Sequence, residues 1–216
     1  MGKFQGKFIV FEGIDGSGIS TQTQLLKNLL ETKYGRKTIL TKEPSDGPIG
    51  AVIRQVLSGR TQGITAGSLA LLFAADRLDH NNNKIKPALE QGDFVICDRY
   101  IWSSLAYQGR EIDSVWLKEI NKYACKPDLT IFIKVRPQTS LKRIQDSRFQ
   151  TEIFEKEEIL QQVLANYIKL SAEWKDLGEE VRVIDGEQEP EKVTRDIQAV
   201  VEQFLQANRK GTNLLK

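Results

Sequence analysis

The chain has 216 residues, enough for one doubly wound domain or two small ones, and its 40% of apolar residues suffice for one sizeable core. Its 31 lysines and arginines stand against 29 acidic residues, so the chain is not built to coat nucleic acid, and any basic surface must be local. Small anionic substrates stay open. No apolar run reaches membrane-spanning length, and the opening MGKFQGKFIVFEG lacks the apolar core and cleavage site of a secretory signal. Gly6 stands where an N-myristoylated chain carries Ser or Thr, so no lipid anchor is expected. Cys97 and Cys125 each lie in or beside an apolar stretch, and both are expected to be buried free thiols in a reducing cytoplasm. His80 is the single histidine, too little for a zinc site; it reads as a surface residue or one standing behind a site.

KFIVFE (7–12) is short, apolar and rich in aromatic and β-branched residues, the pattern of a buried parallel strand. After a glycine-rich stretch, TQTQLLKNLLETK is helical, with Leu25, Leu26, Leu29 and Leu30 on one side. Further strands are predicted at 37–41, 93–98, 128–135 and 181–184, and helices at about 48–58, 67–90, 113–123, 137–146, 155–175 and 190–207. This alternation implies right-handed crossovers and a five-stranded parallel sheet with helices on both faces, a three-layer α/β sandwich. The segment 146–154 (DSRFQTEIF) reads as a plain loop or a mobile lid. A single domain spanning 1–216 is expected, with a lid at about 143–155 and a flexible tail at about 208–216.

The first strand runs into Gly13-Ile14-Asp15-Gly16-Ser17-Gly18-Ile19-Ser20-Thr21. The phosphate-binding template is G-x-x-x-x-G-K-[ST]. Gly13 and Gly18 have the required separation, and Ser20 takes the hydroxyl position that would hold Mg²⁺. Glycines let the backbone curl so that several N–H groups converge, and the following helix N-terminus adds partial positive charge. The lysine position is Ile19, so a donor that offsets charge on the transferring phosphoryl group is missing.

FIVFEGIDGSG, LLFAADR (71–77) and DRYIWSSLAYQG (98–109), in that spacing, resemble the thymidylate kinase family over about the first 205 residues. The resemblance implies a fold of the P-loop NTPase type, ATP and Mg²⁺ as cofactors, transfer of the γ-phosphoryl group of ATP to dTMP, and a homodimer. No nucleic-acid or membrane partner is expected. Asp15 would bond the sugar 3′-hydroxyl, Phe73 would stack on the base, and Arg77 would meet the base and phosphate region. Arg99 would hold the 5′-phosphate, Ser104 would read the base edge, Tyr107 would crowd the 2′ position, and Gln108 would complete the pocket. Lys42 stands where relatives carry arginine before Glu43-Pro44. Asp98 and Glu12 are candidates to order Mg²⁺ or its waters. Taken alone, Phe73 would be core, and Arg77 and Arg99 would be solvated.

The family places an extra arginine either in the phosphate loop or in the lid. Gly16 occupies the loop position here, which points to Arg143 and Arg148 in the lid. Lys134, near the end of the fourth predicted strand, is a candidate to replace the absent loop lysine, against the alternative that it reaches into solvent. Rival readings are a kinase of another deoxynucleotide or deoxynucleoside, and a catalytically silent nucleotide-binding homologue marked by Ile19.

Overall fold

The computed structural model describes residues 6–147 and 156–213. Five strands form one all-parallel sheet: β1 (Lys7–Glu12), β2 (Thr38–Lys42), β3 (Phe94–Asp98), β4 (Leu129–Lys134) and β5 (Val181–Asp185), in the order β2-β3-β1-β4-β5. β1 is central and buried on both faces, which explains its unbroken apolar run. Alternation along β1 divides the core. Phe8 and Val10 enter one cluster with Val95, Cys97 and Phe132; Ile9 and Phe11 enter another with Ile96, Ile131 and Ile133.

The second cluster is closed by α1 (Ile19–Tyr34) and α9 (Pro190–Asn213), through Leu26, Leu30, Val193, Ile197 and Val201. The first is closed by α4 (Lys86–Glu90), α5 (Ile101–Tyr107) and α8 (Glu157–Asp176), through Ala88, Leu105, Leu160, Val163 and Tyr167. α2 (Pro48–Leu57) and α3 (Ala66–His80) pack on each other around Ile53, Val56 and Leu69. α6 (Ser114–Ile120) begins at Asp113, whose carboxylate accepts from Trp116 N. α7 (Pro137–Ser147) starts directly beyond β4 and leans over the phosphate loop.

Several expectations shift. The helix predicted at 67–90 is α3, a π-helical turn at Asn81–Ile85 and α4. Pro87 lies in the first turn of α4, has no N–H to continue an α-helical ladder, and the wider turn absorbs the break. α5 was absent from the predicted helices, because IWSSLAY carries β-branched and aromatic residues and has no polar face. The last helix runs on to Asn213, so 208–213 is helical rather than a loose tail. Cys97 is buried as expected, but Cys125 is only partly buried; both thiols are free. Among the described residues no helix is long and apolar enough to cross a membrane.

Candidate active site

The C-terminal ends of the strands open into one cavity of about 980 Å³, the edge where ligands bind in open parallel sheets. One wall is the loop after β1 with the first turn of α1 and Arg143 of α7. The opposite wall comes from the β2–α2 segment, α2, α3 and α5. Lys42, Arg54, Arg60, Arg77, Arg99 and Arg143 line it against only Asp15, Glu43 and Asp98. That excess of cations suits phosphate groups.

The loop geometry follows from its glycines. A Cβ on Gly13 would lie 2.7 Å from Ser17 Oγ and 2.8 Å from Ile133 O. Gly16 has φ +72°, and a Cβ there would meet Ser140 O at 2.6 Å. Gly18, with φ +91°, turns the chain into α1. Ile14 is fully buried and anchors the loop in the core, while Ser140 Oγ donates to Asp15 O from α7. Ile19 is buried and packs with Leu26 in the second core cluster, although it also lines the cavity. Thr21 lies in the first turn of α1 beside Ser20 and lines the cavity too.

Ser20 Oγ donates to Asp98 Oδ2 at 2.6 Å, so a hydroxyl and a carboxylate converge at the loop. Such a pair fits Mg²⁺, which takes few protein ligands and keeps waters and substrate phosphates. Among the described residues no cluster of three or more His, Cys, Asp or Glu could hold a metal by itself.

Glu12 is not part of this pair and does not line the cavity. Its position in β1 turns it toward the start of α5. Oε1 accepts from Tyr100 N at 3.0 Å and Ser103 N at 3.3 Å, and Oε2 from Ser103 Oγ at 2.7 Å and Tyr167 hydroxyl at 3.1 Å. Burial pushes its carboxyl up to about 7, against the Ser103 hydrogen bond and the nearby Arg99 charge, which favour the ionised form.

Arg99 follows Asp98 with φ 67°, a left-handed conformation uncommon for a residue with a side chain. Four contacts over-determine it. Nη2 donates to Asp15 Oδ1 at 2.7 Å; Nη1 donates to Gly13 O at 2.8 Å and lies 3.4 Å from both Ser103 Oγ and the Tyr167 hydroxyl. The Tyr107 hydroxyl donates to Asp15 Oδ2 at 2.8 Å and accepts from Asp15 N at 3.2 Å. Burial, then the Asp15 carboxylate, raise the Tyr107 phenol well above its ordinary range, so it remains a donor.

Arg77 is buried rather than solvated. Nε donates to Glu43 Oε2 at 2.8 Å, Nη1 to Asn121 Oδ1, and Nη2 to Tyr100 O and Ser104 Oγ at 3.1 Å each. Phe73 is half-buried and lines the cavity one turn before it, so it is not simply core. Ser104 and Gln108 are buried at the wall, and Gln108 Oε1 has no hydrogen-bond partner among the described residues. Lys42 is exposed, lines the cavity and pairs with Asp46 at 3.8 Å.

Of the three candidates for compensating charge, Arg143 reaches the cavity, with Nη2 donating to Gly186 O at 3.0 Å. Arg148 lies outside the described residues, as does most of the expected lid. Lys134 does not reach the loop. It is exposed and lines a separate cavity with Arg136, Leu164 and Glu187. The reason is strand alternation: Lys134 shares the face of Phe132, whereas α1 covers the face of Ile131 and Ile133. His80, expected at the surface or behind the site, is buried: its Nε2 lies 2.7 Å from Thr41 Oγ1 and its Nδ1 3.2 Å from Glu43 Oε1. Arg54 and Ser58 also line the cavity; with Ala51 they make a stripe along α2 and its C-cap that faces the cavity, opposite Ile53 and Val56, so helical periodicity could have found them.

The family described as Thymidylate kinase matches residues 11–197. A protein of Thermococcus gammatolerans named "Probable thymidylate kinase" is 43% identical over 208 residues, covering 93% of this chain and 98% of that protein. Another of Methanocaldococcus jannaschii with the same name is 44% identical over 168 residues, covering 77% and 82%. "Thymidylate kinase" of Desulfotalea psychrophila is 39% identical over 202 residues, covering 93% and 96%. With the match extending from β1 to α9 and taking in both walls of the cavity, the chain belongs to the thymidylate kinase family.

Proposed function

We propose that this cavity transfers the γ-phosphoryl group of ATP to dTMP, giving ADP and dTDP. The observation that carries this reading is the pairing of a phosphate loop with an arginine-lined acceptor wall in a chain of this family. ATP would lie with its phosphates on the backbone of Gly13–Thr21, over the N-terminus of α1. dTMP would lie against Phe73, with its base edge toward Arg77, Ser104 and Gln108. Its phosphate would face Arg99 and Arg54, and its sugar would face Asp15 and Tyr107, with Tyr107 crowding the 2′ position.

The attacking group is an ionised phosphate oxygen, so no strong general base is needed. The work left to the protein is alignment and charge stabilisation. Arg99, fixed at once to Gly13 O and Asp15, spans loop and acceptor and holds the two phosphates in line. Arg143 supplies positive charge on the ATP side, where Ile19 offers none. Ser20 and Asp98 would hold Mg²⁺, which would supply positive charge to offset that of the ATP phosphates.

A second copy of the chain is the proposed partner. Leu71 on α3 and Val115 and Trp116 on α6 are exposed apolar residues on two helices that pack together. Light scattering at the mass of a monomer would exclude this pairing. The two unbridged cysteines suit a reducing cytoplasm. Ile19 favours a second reading, a binder of both nucleotides with little turnover. ADP release with Mg-ATP should depend on dTMP and be far weaker with thymidine or ribonucleotides. Equal rates with thymidine, or tight binding of both nucleotides without product, would reject the proposed reaction.

A further inference from the structure

Buried polar residues in and behind the acceptor wall form a zipper between α3 and the end of β2 with the segment that follows it. Residues 41, 43 and 45 alternate toward the helix: Thr41 meets His80, Glu43 meets Arg77 and His80, and Ser45 meets Asp76. All six are at most 7% exposed. The intervening Lys42 and Pro44 line the cavity, and of the six Glu43 and Arg77 reach it as well. Ser45 N and Oγ donate to Asp76 at 2.7 and 2.6 Å, so this end is fully bonded. At the other end the histidine closes the chain. A carboxylate can only accept, so His80 Nδ1 donates to Glu43, and in the neutral ring Nε2 accepts from the Thr41 hydroxyl. The π-helical turn begins at the next residue, Asn81, whose amide donates to Arg77 O at 2.5 Å and whose Oδ1 accepts from the Tyr100 hydroxyl at 2.8 Å.

This arrangement decides what Arg77 can offer a ligand. A guanidinium has five N–H groups. Nε and Nη2 are committed to Glu43, Tyr100 and Ser104, and Nη1 gives one hydrogen to Asn121. The remaining Nη1–H has no described partner. The Arg77 charge is offset by Glu43 at 2.7 Å. Arg77 also lines the cavity, so what it can offer a ligand there is a directed N–H rather than an open cation. Such a donor suits a carbonyl on an uncharged base edge better than a phosphate, and it opposes an exocyclic amino group at the same place. Its direction depends on the plane of the guanidinium. That plane depends on the carboxylate of Glu43, which His80 holds by its other oxygen.

We propose that His80 and Glu43 are positioning residues that set acceptor-base selectivity by fixing the plane of Arg77. The inference rests on reading the α3 wall as the acceptor site. Neither residue needs to touch substrate, and neither acts on the ATP side, where no member of the zipper lies.

The test is steady-state kinetics with dTMP, dCMP and ATP for the natural chain and for His80→Leu, His80→Asn and Thr41→Val, each checked for a cooperative thermal melt. His80→Leu should lower the ratio of kcat/KM for dTMP over dCMP by roughly tenfold, as for loss of one charge-assisted hydrogen bond. The KM for ATP should stay within about twofold. His80→Asn keeps a donor near the Nδ1 position and should recover most of the ratio. Thr41→Val, which removes only the hydroxyl at the far end, should move the ratio in the same direction by a smaller factor. An unchanged ratio in folded His80→Leu would overturn the proposal, and so would dTMP and ATP constants that shift together. If His80→Leu does not fold, an unchanged ratio in Thr41→Val decides against it. A natural chain that turns over no dTMP fails at the first step, which rejects the reaction itself rather than the role of His80.

Discussion

Ser20 and Asp98, 78 positions apart in sequence, meet through a 2.6 Å hydrogen bond that joins the first turn of α1 to the end of β3. Sheet order makes this possible. β3 lies directly beside β1, so the carboxylate that ends β3 faces the loop that leaves β1. A cation held there would lose a charged ligand in Asp98→Asn and a neutral one in Ser20→Ala. Asp98→Asn is expected to lower kcat by about 10²–10³ and to raise the Mg²⁺ concentration needed for half-maximal rate. Ser20→Ala should do the same to a smaller extent. Initial rates across a Mg²⁺ titration check both; unchanged Mg²⁺ dependence in Asp98→Asn would remove that residue from the metal site.

Gly16 cannot carry a side chain without moving α7. Its φ of +72° and the 2.6 Å approach to Ser140 O act together. Gly16→Ala should cost about 1–3 kcal/mol of stability, read as a lower midpoint in urea, and should lower the rate as well. Gly16→Arg, which would add the loop arginine, should be no more active than Gly16→Ala. At Gly18 the space is open and only the φ of +91° opposes a side chain, so Gly18→Ala should be the milder change.

Glu12 predicts a pH dependence of stability. Its folded carboxyl lies at about 7, above the ordinary 4.5, because burial disfavours the charged form. The folded state therefore binds more protons than the unfolded state between those values, and stability falls as pH rises through that window. The full shift corresponds to about 3 kcal/mol, an upper bound. Glu12→Gln keeps the shape and cannot ionise. Denaturant midpoints between pH 5 and 8 should decline for the natural chain and decline less for Glu12→Gln. Identical slopes would mean that Glu12 is not the titrating group.

Ile19 and Arg143 should be coupled if Arg143 supplies charge in place of a loop lysine. Arg143→Ala is expected to lower kcat by about tenfold or more. Ile19→Lys should raise kcat and cost some stability, since Ile19 packs in the core beside Leu26. In the double variant the loss caused by Arg143→Ala should shrink. A kinetic double-mutant cycle measures this; additive effects would separate the two residues.

The three inner strands were legible in the sequence because each carries a short apolar run buried on both faces, unbroken in the central one from Phe8 to Phe11. The loop was legible because its glycines carry backbone requirements that no other residue meets. α5 was hidden because a helix buried nearly all round shows no amphipathic period. For Lys134 the alternative of reaching into solvent holds and the loop-charge role does not; distance along β4 left both open, and the deciding fact is the face on which alternation puts it. Glu12 and His80 were ambiguous for a different reason. Which partner a buried polar group meets depends on packing between distant elements, here β1 with α5 and β2 with α3.

The central claim is that a phosphate loop without its lysine still passes a phosphoryl group to dTMP. The most direct measurement follows the γ-labelled phosphate of ATP in a single turnover with Mg²⁺ and dTMP. The account predicts label in dTDP, formed faster than ATP is hydrolysed without dTMP, and lost in Arg99→Ala. Label that appears only as inorganic phosphate, or stays in ATP while both nucleotides are bound, would contradict it.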